Sequence, residues 1–218
     1  MAGCDKPIIV VDYGMGNLGS ILNMVKKVGA AAELSKCPDD VMKADKLILP
    51  GVGAFDNAMI KLGKLGYVDA LNQRVLGDGT PVLGICLGMQ LFCKRSEEGQ
   101  EPGLGWLDAE TIRFRFDAGS EQRKIPHMGW DYARIRKPTS VFPDPEQERR
   151  FYFVHSYHVR CNDPGDVLAS TRYGIDFTSA VSRGNILGTQ FHPEKSHRFG
   201  LEFFRAFSTW LPDTAPGK

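Results

Sequence analysis

Along the first half of the chain, short apolar runs alternate with amphipathic stretches. Pro7-Ile8-Ile9-Val10-Val11 is uninterrupted and β-branched, the pattern of a strand buried on both faces. Asp12 to Gly16 reads as a turn. Leu18, Ile21, Leu22, Val25 and Val28 then recur at helical spacing, with Gly29 placed to cap the helix. Lys46 to Leu49 is a second strand, ended by Pro50-Gly51. Ala54 to Leu62 and Tyr67 to Leu76 have helical spacing, and Gly77-Asp78-Gly79 breaks the second segment. Pro81 to Ile85 is another buried strand, and Gly88 to Arg95 reads as a helix. Such alternation predicts a parallel sheet joined by right-handed crossovers.

The second half changes character. Thr111 to Phe116 alternates polar and apolar residues, as a half-exposed strand does. Phe151 to Val154, Val167 to Thr171, Phe177 to Val181 and Ile186 to Phe191 are further strand candidates. The polar, proline-containing stretch Lys137 to Arg150 reads as a surface loop. The chain closes with an amphipathic helix whose apolar face carries Leu201, Phe204, Phe207 and Leu211. The expected organisation is one domain over residues 1–212 and a disordered tail over residues 213–218.

Composition narrows the function classes. A length of 218 residues suits one α/β domain with a full core. Lys and Arg number 27 against 26 Asp and Glu, so there is no net basic footprint for nucleic acid or an anionic membrane. The five cysteines, at positions 4, 37, 86, 93 and 161, are odd in number and form no C-x-x-C pair. That disfavours a disulfide framework or a four-cysteine zinc site and fits a reducing compartment. Met1 to Pro7 is too short and polar for a signal peptide, and no apolar run nears the ~20 residues of a membrane span. The expected location is the cytoplasm, with no metal and no cofactor.

The densest chemical signal is Gly84-Ile85-Cys86-Leu87-Gly88, between a buried strand and a helical segment. G-x-nucleophile-x-G is the pattern of a nucleophile elbow, here with cysteine at its tip. A sharp strand-to-helix turn strains the central residue, and small residues two positions away on each side permit the turn. The side chain then stands at the carboxyl edge of the sheet, where the next helix's N-terminus favours a thiolate. The other four cysteines read as inert packing residues. A cysteine nucleophile needs a base, and the chain has five histidines. His192 follows the strand Ile186 to Phe191, so its side chain can meet the elbow from a neighbouring strand. Pro193 stiffens the exit, and Glu194 is close enough to orient the imidazole.

Two other signals compete. Gly14-Met15-Gly16-Asn17-Leu18-Gly19 follows a strand, with Glu33 downstream, as in a dinucleotide-binding turn. That reading leaves Cys86 and His192 unexplained. His155 and His158 with His192 or His197 could form a zinc set, although contact with substrate and surface placement account for them as well.

Pro50-Gly51-Val52-Gly53, the segment from Gly84 to Gln90, and Gln190-Phe191-His192-Pro193-Glu194 resemble the three signatures of the class I (triad) glutamine amidotransferases, in that family's order. Pro126 to Trp130 and Tyr152 to Tyr157 narrow the resemblance to the glutaminase subunits of imidazole glycerol phosphate synthases. The resemblance runs from about Ile8 to Trp210. It implies a three-layer, flavodoxin-like α/β fold, with a mostly parallel or mixed central sheet and helices on both faces. It further implies that Cys86 attacks the glutamine carboxamide while His192 moves the proton and Glu194 orients His192. Backbone amides of Gly51, Val52, Gly53 and Leu87 would hold the oxyanion, and Gln90, Glu98, His155, Ser156 and Tyr157 would contact glutamine. The implied partner is a synthase built as a (β/α)8 barrel, forming a heterodimer that channels ammonia. Gly14, Met15, Gly16, Asn17, Val52, Met128 and Trp130 would face it. The segment from Pro193 to Gly200 resembles a subgroup from surface-polysaccharide pathways, in which a nucleotide-sugar amidotransferase takes the ammonia. A cysteine peptidase or a nonenzymatic regulator of the same fold are the remaining alternatives.

Overall fold

The computed structural model describes residues 6–116 and 121–212; Cys4 and the expected tail over residues 213–218 lie outside the described residues. In chain order the first half runs β1 (Ile8–Val10), α1 (Leu18–Lys27), β2 (Ala32–Leu34), α2 (Pro38–Met42), β3 (Leu47–Gly51), α3 (Phe55–Lys64), α4 (Tyr67–Asn72), β4 (Val82–Cys86) and α5 (Leu87–Gln90). The second half runs β5 (Arg95–Ser96), β6 (Ala109–Arg113), β7 (His127–Tyr132), β8 (Arg134–Ile135), β9 (Arg150–His155), β10 (Tyr157–Cys161), β11 (Val167–Tyr173), β12 (Ile175–Arg183), β13 (Ile186–Thr189) and α6 (His197–Thr209).

A central sheet of 11 strands has the order β2-β1-β3-β4-β13-β12-β10-β6-β5, with β11 and β8 branching from β12. The strands from β2 to β13 are parallel, and those that follow are mainly antiparallel, so the sheet is mixed. One core, with Ile21, Met24, Phe203 and Phe207, packs α1 and α6 on one face. The other, with Phe55, Leu62, Leu71 and Val41, packs α2, α3 and α4 on the opposite face. This is a mixed α/β fold with helices on both sides. A two-stranded sheet, β7-β9, lies against the first core through Phe151 and Phe153. Among the described residues, no helix is long and apolar enough to cross a membrane.

Several elements depart from the pattern expected. The short edge strand β2 and the five-residue α2 carry too little periodicity to stand out, and β7 and β10 are broken by polar residues. Pro50-Gly51 does not end β3, which runs on to Gly51 beside Cys86. The helix expected from Gly88 to Arg95 is only α5, four residues long, and Arg95 already belongs to β5. Leu211 is not on the α6 face: the helix stops at Thr209, Leu211 is exposed, and Phe203 and Trp210 are buried instead. Val141, Phe142 and Arg149 are buried within the expected surface loop, with Phe142 against Phe203 of α6, and Arg150 opens β9.

Strand register sets up the chemistry. Gly51 pairs with Cys86 and Thr189 with Ile85, so β3, β4 and β13 bring their carboxyl ends together at one edge. Open α/β sheets bind ligands along this kind of edge.

Candidate active site

Cys86 ends β4 with φ +55° and ψ −109°, a backbone conformation that costs a non-glycine residue about 1–3 kcal/mol. Packing enforces it. A Cβ on Gly88 would lie 1.9 Å from the carbonyl oxygen of Leu49, and one on Gly84 would lie 2.6 Å from the Phe92 ring. Only hydrogen fits at either position, so the elbow can press against β3 and turn. Cys86, at the tip of the bend, is 7% exposed.

His192 is held by its main chain. Its amide donates to Tyr152 O on β9 at 2.9 Å, while Ser196 Oγ donates to His192 O at 2.6 Å and accepts from Tyr152 N at 3.0 Å. The following 3-10 turn, Pro193–Lys195, folds Glu194 back so that Oε1 lies 2.8 Å from His192 Nδ1. His192 Nε2 is buried with no hydrogen-bond partner among the described residues. Burial disfavours a charged imidazole, yet the Cys86 sulfur and the Glu194 carboxylate outweigh it and raise the His192 pKa to about 10. The charge of the sulfur acts on the ring, although Nε2 closes no hydrogen bond among the described residues. Catalytic hydrogen bonds of this kind tighten on substrate binding.

A layer of amides lies behind the sulfur. Gln190, fully buried just after β13, donates from Nε2 to Cys86 Sγ at 3.6 Å. Gln90 Nε2 donates to Gln190 Oε1 at 2.9 Å and to Tyr157 O at 3.0 Å. His155 does not point at an open site. Its Nδ1 bonds Tyr157 O at 2.8 Å, its Nε2 meets His127 Nδ1 at 3.0 Å, and Phe114, Phe153 and Phe177 pack around it. Burial holds its pKa well below the usual imidazole value. Both ring nitrogens are taken by protein partners. Glu98 is half-buried, and its Oε2 accepts from the amide of Phe55 at 2.9 Å, capping α3. Ser156 and Tyr157 are half-buried at the β9–β10 bend, and the Ser156 carbonyl accepts from Phe114 N.

The segment opposite the elbow is as crowded. A Cβ on Gly51 would lie 2.8 Å from Leu87 Cβ and 2.9 Å from both Gly88 N and Tyr13 Oη. Gly53 has φ +102°, and Val52 between them is exposed. Tyr13 donates to Pro50 O at 2.7 Å; burial and then the nearby Cys86 charge push its pKa up. Gly14 and Gly16 have positive φ, and the Asn17 side chain caps α1, so this glycine turn leads into a helix. Met128 and Trp130 lie exposed on the outer face of β7, Trp130 stacked on His197 with ring centroids 5.3 Å apart. Sequence reasoning assigned no role to Tyr13, His127 or Gln190. Gln190 and His127 lie within segments already noted, whereas nothing local marks Tyr13.

A strained cysteine at a strand–turn–helix elbow, with a carboxylate-oriented histidine from a neighbouring strand, on a mixed α/β sheet, defines the class. The sequence matches the family model for class I glutamine amidotransferases over residues 9–208, and the chain belongs to that family. Among its relatives, the protein named imidazole glycerol phosphate synthase subunit HisH 2 of Pseudomonas aeruginosa is 50% identical over 200 residues, covering 92% of this chain and 98% of that protein. One of the same name from Methanococcus maripaludis is also 50% identical over 200 residues, with the same coverage. A crystal structure described as a glutamine amidotransferase superposes with a TM-score of 0.70 at 20% identity, covering 92% of this chain and 98% of that one. The structure of PurLQS from Thermotoga maritima gives 0.69 at 17% identity, covering 93% and 97%. These two show the fold.

Proposed function

We propose that this chain is the glutaminase subunit of an imidazole glycerol phosphate synthase, releasing ammonia from glutamine for a partner subunit in histidine biosynthesis. The observation that carries the chemistry is the convergence of Cys86, His192 and Glu194 at one sheet edge. In this reading Cys86 Sγ forms a bond to the glutamine carboxamide carbon, and His192 gives the departing nitrogen its proton. Ammonia leaves and a glutamyl thioester remains. Water, deprotonated by His192, then attacks the thioester carbon. The C–S bond breaks, giving glutamate and regenerating the cysteine. Glu194 holds the ring by Nδ1, so that Nε2 faces the reaction. Amides of Leu87 and of the Gly51-Val52-Gly53 segment stabilise the oxyanion; such a donor contributes about 3–4 kcal/mol. Gln90, Glu98, His155, Ser156 and Tyr157 line the glutamine site, with Gln90 left its carbonyl oxygen for a ligand because Nε2 is occupied.

Free ammonia is protonated in water and ceases to be a nucleophile, which favours direct transfer to a bound synthase. Relatives at 50% identity carry the name of one subunit of such an enzyme. The face proposed for the partner, a (β/α)8 barrel, comprises the Gly14 to Asn17 turn, Val52, Met128 and Trp130; the last three are exposed apolar residues of the kind that mark interfaces. One glutamine amidotransferase domain over residues 1–212, working in the cytoplasm, completes the proposal.

The test pairs a pull-down with Cys86→Ala. Recovery of a barrel synthase supports the histidine-pathway reading, and recovery of a sugar amidotransferase refutes it in favour of a polysaccharide branch. In the complex, Cys86→Ala should abolish glutamine-dependent synthesis and leave ammonia-dependent synthesis in place. The chain alone should turn over glutamine slowly, because the exposed Val52 turn awaits its partner; equal rates with and without the synthase would refute that.

A further inference from the structure

The reaction above uses the sulfur of Cys86 but leaves unexplained the buried carboxamide that touches it. We infer that Gln190 holds the Cys86 thiolate in place, with Gln90 fixing its carboxamide in the donating orientation. This rests on the reading of Cys86 as the nucleophile and adds a residue to that machinery.

A glutamine side chain can present either an N–H or an oxygen, and the neighbours decide which. Tyr157 O is a main-chain carbonyl and can only accept, so the end of Gln90 that lies 3.0 Å from it must be the nitrogen. The other hydrogen of that nitrogen points to Gln190, 2.9 Å away, where only an oxygen satisfies it. The nitrogen of Gln190 is thereby left at 3.6 Å from Cys86 Sγ. His155 tightens the arrangement, since its Nδ1 lies 2.8 Å from the same Tyr157 carbonyl and must donate to it. Gln190 cannot swing away: its main-chain amide donates to Ser179 O at 2.9 Å, and the side chain is fully buried. A thiolate accepts a hydrogen bond far better than a thiol, so a fixed N–H at this place favours the ionised sulfur.

The test is the pH dependence of Cys86 alkylation by iodoacetamide in the full chain, followed by mass spectrometry of the Cys86 peptide. In Gln190→Met, which keeps the bulk but loses the donor, the alkylation midpoint should rise by about one pH unit, the tenfold expected from losing a hydrogen bond to a charged group. Gln190→Glu, the same shape with a carboxylate at the sulfur, should raise it further. Gln90→Leu leaves Gln190 present but free to rotate, and should move the midpoint in the same direction by less. With the synthase bound, kcat for glutamine should fall about tenfold in Gln190→Met with KM within about twofold. A midpoint unchanged in Gln190→Met and Gln190→Glu overturns the inference, as does a loss confined to melting temperature or to KM. The outcomes separate from the function proposed above: a wild-type complex that fails to hydrolyse glutamine sinks that reading, while the alkylation profile still reports on Gln190.

Discussion

Gly88 is among the tightest constraints in the molecule, and Gly88→Ala puts a number on it. A Cβ there would lie 1.9 Å from Leu49 O and 2.9 Å from Leu49 C. Carbon–oxygen contacts in proteins lie at about 3.3–3.6 Å, so the two groups must part by about 1.4 Å. Neither yields easily, because Leu49 is fully buried in mid-sheet, paired with Gly84 of β4. Forcing extra atoms into such a core costs about 1–3 kcal/mol, and this clash is with main chain, which places it at the upper end. For a chain of this length, about 3 kcal/mol lowers the melting temperature by about 6–12 °C. The strain falls on the elbow, and a displacement of about 1 Å at a reacting group can cost about 10²-fold in rate. Thermal denaturation by circular dichroism and glutamate release in the synthase complex measure the two effects. Gly63→Ala is the control: Gly63 is an exposed residue of α3 with nothing within 4 Å of the added carbon, so it should gain about 0.5–1 kcal/mol in stability. A Gly88→Ala variant with unaltered melting and turnover would show that contact with β3 does not set the elbow.

Glu194→Gln removes a charge that raises the His192 pKa, so the basic limb of the kcat profile should shift to lower pH and kcat should fall by about 10²–10⁴-fold with KM little changed; an unmoved limb would exclude the orienting role. His158 is buried beside Phe114 with its pKa lowered to about 4, chiefly by burial. The unfolded chain binds that proton near pH 6.5 and the folded chain does not, so stability should drop as pH falls from 6.5 toward 4, by up to roughly 3 kcal/mol from this residue. Urea titrations across that range check it, and His158→Phe should flatten the slope. Lys46, buried, donates to the carbonyls of Phe207, Ser208 and Trp210 at the end of α6. Lys46→Met should therefore destabilise the fold by roughly 2–4 kcal/mol, read by chemical denaturation.

Long-range parallel strands and the elbow were legible in one dimension because their causes are local. A strand buried on both faces must be apolar throughout, as Ile8 to Val11 and Pro81 to Ile85 are, and a sharp turn about Cys86 needs glycines at 84 and 88. The Gln190 to Glu194 segment was visible for the same reason, since the ring and its orienting acid sit two residues apart. Short edge elements carried no such signal: β2 and β5 form because a neighbouring strand offers a free edge, and the five residues of α2 give little periodicity.

What the amino-acid order determined by itself is the elbow, the cysteine at its tip and the pairing of His192 with Glu194. Tertiary structure alone decided what surrounds them. His155 is drawn into a buried aromatic cluster by His127, 28 positions earlier in the chain. Gln90, Tyr157 and Gln190 meet behind the sulfur although up to 100 positions separate them. Tyr13 reaches the Pro50 carbonyl because β1 and β3 are neighbours in the sheet. The physical reason is the same each time: backbone strain and side-chain periodicity are written within a few residues, whereas a hydrogen bond between distant side chains exists only once the strands that carry them have paired.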